Sequence, residues 1–175
     1  HGQDRVDAGD ATMHQRRPQP SRAISDHTAR GKQFVLVASQ FHPELARDLV
    51  SGATRVLRRY GAFARNIQVV WVPGAFELPV VAARAARSRP RPDAVIALGV
   101  LIRGETVQYD VIAHAVAQGL EQVAVSSKIP VTFGVIVAQT MRQAKARAHR
   151  TGHNRGSEAA LAAVAVLRIF QRMAH

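Results

Sequence analysis

The chain of 175 residues contains no cysteine, which excludes disulfides, thiolate metal sites and a cysteine nucleophile. Aromatic residues are scarce at 5%, so a core must be built from Val, Ala, Leu and Ile. The same scarcity counts against a nucleic-acid platform, which interleaves stacking rings with basic side chains. No apolar run is long enough to span a bilayer, so no membrane association is expected. The N-terminus lacks the apolar middle region of a signal peptide. These absences fit a cytoplasmic protein without a structural metal.

Acidic residues are also few, 12 against 24 Lys and Arg, for a net charge of +12. Residues 1–32 hold six basic and four acidic residues, and 33–175 hold 18 and eight, so the excess lies in the folded part. It would attract nucleic acid or a phosphorylated substrate. The arginines are spread over several segments, however, and an Arg-rich composition explains them without a nucleic-acid partner.

Residues 1–32 are polar and aperiodic and are expected to be a flexible leader. The first methionine is Met13, so residues 1–12 fit an appended, non-native segment. Residues 33–175 then read as one domain in which strands and helices alternate. Strands are expected at 33–39 (QFVLVAS), 66–72 (NIQVVWV), 94–102 (AVIALGVLI) and 130–137, and helices at 43–60, 77–88, 109–126, 141–149 and 157–173. Pro43 suits a first helical turn, Gly61 a helix stop and Thr140 an N-cap. Strands separated by helices of this length imply right-handed βαβ units. The expected fold is a three-layer α/β/α sandwich on a four-stranded parallel sheet, with an extra strand conceivable before residue 33. The pattern leaves strand order open.

Residues 94–112 (AVIALGVLIRGETVQYDVI) are the most informative stretch. A buried strand breaks at Gly104 and feeds into a helix, which places free backbone N–H groups at a strand's carboxyl edge. Such groups, with the helix dipole behind them, hold anions. An ordinary strand–helix connection gives the same pattern. Phe41, where the chain leaves the first strand, can stack on a planar ligand or pack on the next helix. Glu77, after Val72-Pro73-Gly74-Ala75-Phe76, can complement a helix dipole or accept hydrogen bonds from a polyol. Arg147 and Glu158, eleven residues apart, are close enough to pair, and an arginine so held presents a fork to phosphate, although a surface arginine is the commoner case.

VPGAFELP (72–79), GVLIRGET followed by YD (99–110), PVTFGVI (130–136) and QAKARA with NRGSEAALAA (143–163) resemble, in order and interval, the 6,7-dimethyl-8-ribityllumazine synthase family. The resemblance runs from about Phe34 to Leu167 and implies a flavodoxin-like domain. The implied activity is a transferase step of riboflavin biosynthesis that joins 5-amino-6-(D-ribitylamino)uracil to 3,4-dihydroxy-2-butanone 4-phosphate, without metal or organic cofactor. By motif position, Phe41 resembles the ring that stacks on the pyrimidine. Ala75, Phe76 and Glu77 resemble the turn that receives the ribityl chain. Val100, Leu101 and Ile102 resemble the strand end that meets the pyrimidine edge, and Glu105 and Thr106 the phosphate-binding helix start. Arg147 resembles the phosphate-binding arginine, with Glu158 as its partner. Phe133 resembles a phenylalanine supplied by a neighbouring subunit. The resemblance further implies a homo-oligomer, a pentamer or an icosahedral shell of pentamers, with riboflavin synthase as a candidate partner.

One departure bears on the chemistry. The family's proton-transferring histidine lies two residues after the threonine, where this chain has Gln108, which cannot titrate. A general acid/base contributes about 10²–10⁴-fold in rate. Positioning two substrates in contact can offset part of that loss. His42, where the family often has Asn, and His149 and His153 are alternative proton carriers, each weighed against a solvated loop histidine. The alternative to an active enzyme is a catalytically weak flavin- or lumazine-binding scaffold. The phosphate elements Thr106 and Arg147 favour the enzyme.

Overall fold

In a computed structural model, residues 27–174 are described. The expected leader before His27, including Met13 and any strand it would supply, lies outside the described residues. Residues 27–31 form a turn whose Ala29 is fully buried and donates its N–H to the Tyr60 carbonyl at 2.9 Å.

The elements alternate as β1 (Phe34–Ser39), α1 (Pro43–Arg59), β2 (Ile67–Val72), α2 (Leu78–Ala86), β3 (Ala94–Ile102), α3 (Gln108–Ser127), β4 (Val131–Ala138), α4 (Met141–Arg147) and α5 (Arg155–Met173). All strand pairs are parallel and the order is β2-β1-β3-β4. The fold is the expected α/β/α sandwich, with the strand order of flavodoxin-type sheets carried as far as the fourth strand.

Burial explains that order. β1 and β3 are the most continuously apolar strands, and they take the two central places, where a parallel sheet is covered on both faces. β2 leaves Gln68 and Trp71 exposed, as an edge strand can. One core, built on Phe34, Leu36, Ile96 and Leu98, lies against α1 and α5. The other, built on Val35, Val37, Val95 and Ala97, lies against α2 and α3. Alternate residues of each central strand therefore feed opposite layers.

Of the boundaries that differ from expectation, three are set by visible local structure. Helix α5 begins at Arg155 rather than at residue 157, because Asn154 caps it by accepting from the Ser157 N–H at 2.9 Å. Gly156, which lies outside the expected helix, is therefore helical, and its bare Cα lets α5 approach α1. Helix α4 stops at Arg147 rather than at residue 149, because Ala148 turns into an isolated bridge with Asn154. Before α2, Ala75–Glu77 form a separate 3₁₀ turn, so the helix itself starts at Leu78.

Candidate active site

The chain leaves β1 toward β2 and leaves β3 toward β4, so the two connections diverge from neighbouring central strands. A crevice must open at the carboxyl ends of β1 and β3, and such switch points are where open α/β sheets take ligands. A cleft of about 670 Å³ lies there. It is lined by Phe41 and His42 after β1, Gly74–Glu77 after β2, Val100–Ile102 at the end of β3, and Gly104, Thr106, Gln108, Tyr109, Val111 and Ile112 beyond it.

Each wall has a local cause. The buried Ser39 hydroxyl accepts the Phe41 N–H at 3.2 Å, and the Gln40 N–H bonds the Val72 carbonyl at 2.8 Å. These bonds fix the bend that leaves the Phe41 ring 63% exposed at the cleft rather than packed in a core. His42 follows in the left-handed region (φ 57, ψ 65), with its ring edge-on to Phe41 at 5.0 Å. Pro43 then opens α1. In the second wall, the Glu77 carboxylate folds back over Gly74, where a Cβ would stand 2.9 Å from Oε2.

The third wall carries the electrostatics. Helix α3 has 20 residues and no side-chain cap at its N-terminus, so its first N–H groups and dipole face the loop that holds Gly104 and Thr106. Hydrogen bonding to Asp110, with some desolvation and the Asp110 charge, raises the Tyr109 phenol pKa above the usual value, against an opposing pull from Arg103. The phenol therefore keeps its proton through neutral pH.

Of the residues singled out from sequence, Phe41, Ala75, Phe76, Glu77, Val100, Leu101, Ile102, Thr106 and Gln108 line this one cleft. Glu105 stands in the same loop, exposed, and is not part of the lining. Tyr109, Val111 and Ile112 were not singled out for the site. The last two follow from helical spacing, three and four residues beyond Gln108.

Phe133 and Arg147 are elsewhere. With Gln143, Arg155 and the end of β4 they line a second cleft, of about 460 Å³, around the open edge strand. The two clefts share no lining residue. Glu158 Oε2 accepts from Arg155 at 2.9 Å and lies 3.8 Å from the Arg147 guanidinium, so one carboxylate serves two arginines. The first contact is a hydrogen bond and the second a purely coulombic pairing. The Thr140 hydroxyl accepts the Gln143 N–H, and the Gln143 side chain accepts the Gln139 N–H, which anchors the start of α4.

The segment between α4 and α5 is strapped to α1. Arg150 Nε donates to Asp48 at 2.6 Å, and the buried Asn154 amide donates to the Asp48 carbonyl at 3.0 Å and the Ala148 carbonyl at 3.3 Å. Arg150 is thus held away from both clefts. His149 Nδ1 accepts the Thr151 N–H within its own turn, and neither His149 nor His153 lines a cleft described here. Among the described residues no cluster of His, Cys, Asp and Glu could hold a metal, and no helix is long and apolar enough to cross a membrane.

Residues 31–171 match the model of one family, described as 6,7-dimethyl-8-ribityllumazine synthase. A protein of that name from Chlorobium phaeobacteroides is 43% identical over 145 residues, covering 83% of this chain and 93% of its own. Another from Gemmatimonas aurantiaca is 44% identical over 142 residues, 81% of this chain and 86% of its own. A third, from Leuconostoc mesenteroides, is 37% identical over 142 residues, 81% and 90% of the two chains. The matched span contains every strand and helix that builds the switch-point cleft, and on that ground the chain belongs to the 6,7-dimethyl-8-ribityllumazine synthase family.

Proposed function

We propose that this chain condenses 5-amino-6-(D-ribitylamino)uracil with 3,4-dihydroxy-2-butanone 4-phosphate to 6,7-dimethyl-8-ribityllumazine, releasing phosphate and water, as a transferase of riboflavin biosynthesis. The observation that carries this reading is the meeting, in one switch-point cleft, of an exposed aromatic ring, a carboxylate turn and an uncapped helix N-terminus. Those three elements suit the three parts of the substrate pair.

Phe41 stacks on the pyrimidine, whose edge meets the backbone of Val100, Leu101 and Ile102. Glu77, at the turn holding Ala75 and Phe76, accepts hydrogen bonds from the ribityl hydroxyls. The phosphate lies against the first N–H groups of α3 near Glu105 and Thr106. Holding amine and ketone in contact supplies a proximity advantage that needs no titrating group. Gln108 orients the reacting atoms through its amide.

Arg147 and Phe133 line the other cleft, and Glu158 holds its arginines, so they serve this chemistry from a neighbouring copy. A site shared in this way requires a homo-oligomer, which we assign as a pentamer or a shell of pentamers. The functional unit is one domain spanning residues 33–175, working in the cytoplasm, with riboflavin synthase as the enzyme that takes its product. The test is to incubate the purified chain with both substrates. One phosphate released per lumazine formed supports the assignment, and no lumazine above the uncatalysed background overturns it.

A further inference from the structure

Condensing an amine with a ketone moves two protons from nitrogen to oxygen. One passes when the amine adds to the carbonyl, and one when the resulting hydroxyl leaves as water and the C=N bond forms. Gln108 can orient these groups but cannot carry a proton between them. The cleft has three titratable side chains: Glu77 from the turn after β2, Tyr109 from α3, and His42. Histidine is the one side chain that exchanges a proton between roughly pH 5 and 8 without special surroundings.

Among the described residues, His42 is the imidazole that lines this cleft. His114 is engaged with the Asp110 carbonyl at 2.7 Å and lies outside the lining. The His42 ring packs edge-on against Phe41, with an interplanar angle of 89°, and its nitrogens bond no described residue. Its backbone sits in the left-handed region, a conformation that costs a non-glycine residue energy and is found at functional sites. Stacking of a pyrimidine on Phe41 would place the ligand beside that free imidazole.

We propose that His42 is the proton carrier of this enzyme, in place of the histidine that Gln108 has replaced. An imidazole nitrogen takes a proton from the attacking amine and returns it to the carbinolamine oxygen. It then takes the second N–H proton and delivers it to the departing hydroxyl, so that water and the imine form and the ring ends as it began. This assignment rests on the lumazine synthase reading above. Glu77, from the turn after β2, and Tyr109, from α3, line the same cleft, and Glu44 lies two residues along in the first turn of α1. Arg103 and Glu105 stand in the exposed loop before α3, and Asp110 in its first turn.

The test compares kcat against pH for the parent, for His42→Asn, and for His42→Asn combined with Gln108→His. Asparagine tolerates the left-handed backbone, so the fold is retained while the titrating ring is lost. The parent should show a limb rising through near-neutral pH. His42→Asn should lose that limb and about 10²-fold in kcat, with KM for the pyrimidine within about twofold, because the stacking ring is untouched. The double variant should regain both rate and limb. An active parent whose profile and kcat survive His42→Asn overturns this assignment alone. A parent without turnover overturns the lumazine synthase reading and the assignment with it.

Discussion

Gly156, in the first turn of α5, meets the backbone of Leu49 in α1 so closely that a Cβ would lie 2.1 Å from the Leu49 carbonyl oxygen. The obstacle is backbone in the middle of a helix, so it cannot swing aside as a side chain would. Gly52 is also closely approached, but by side chains: a Cβ there would lie 2.1 Å from Asn154 Oδ1. Gly156→Ala should therefore destabilise the chain by about 2–3 kcal/mol, despite the better helix propensity of alanine. The midpoint of urea unfolding measures it, and an unchanged midpoint would mean that α1 and α5 do not cross this tightly.

The same crossing positions Arg155 and Glu158. Glu158→Gln should cost little stability, under about 1 kcal/mol, because the ion pairs are partly exposed. It should nevertheless raise KM for the phosphorylated substrate about tenfold, since two guanidinium groups lose the charge that holds them. Steady-state kinetics with each substrate varied in turn separate this from a general loss of activity. An equal rise in both KM values would argue against a phosphate role.

Phe41 is 63% exposed, so its removal disturbs little packing. Phe41→Ala should change stability by no more than about 0.5 kcal/mol. KM for the pyrimidine should rise about 10–100-fold, the cost of one lost stacking contact. A variant that binds the pyrimidine normally would show that the ring serves another purpose.

The proposed sharing of the site between copies predicts complementation. Phe41→Ala and Arg147→Ala damage different clefts, so each should be weak alone. When the two are unfolded, mixed and refolded together, some interfaces join an intact Phe41 cleft to an intact Arg147 cleft, and activity should return. Mixtures no better than the separate variants would place the whole site within one copy.

Much of the architecture was legible in the sequence because apolar runs and turn residues act locally. The run 94–102 could only be a doubly covered strand, and its observed bounds match the expectation. Thr140 was readable as a cap from its type and place alone. Strand order was not, since it depends on which faces are buried in three dimensions. Gly156 falls outside the helix expected from sequence because glycine favours turns, whereas its role is to admit another helix. The separation of Phe133 and Arg147 from Phe41 was also beyond the residues taken one by one, because it arises from where β4 lies in the sheet. His42 drew notice only as a residue of unsettled role, and its place in the cleft follows from the bend set by Ser39.

The most direct measurement is the initial rate of lumazine formation from both substrates, for the parent and for Gln108→His, above the uncatalysed background. The parent should turn over clearly, with Gln108→His changing its rate by less than about tenfold, because in the proposed mechanism positioning, phosphate binding and an imidazole already in the cleft supply the catalysis. A parent at background, rescued only by the histidine, would contradict this account. The cleft would then be a binding site from which the chemistry has been lost.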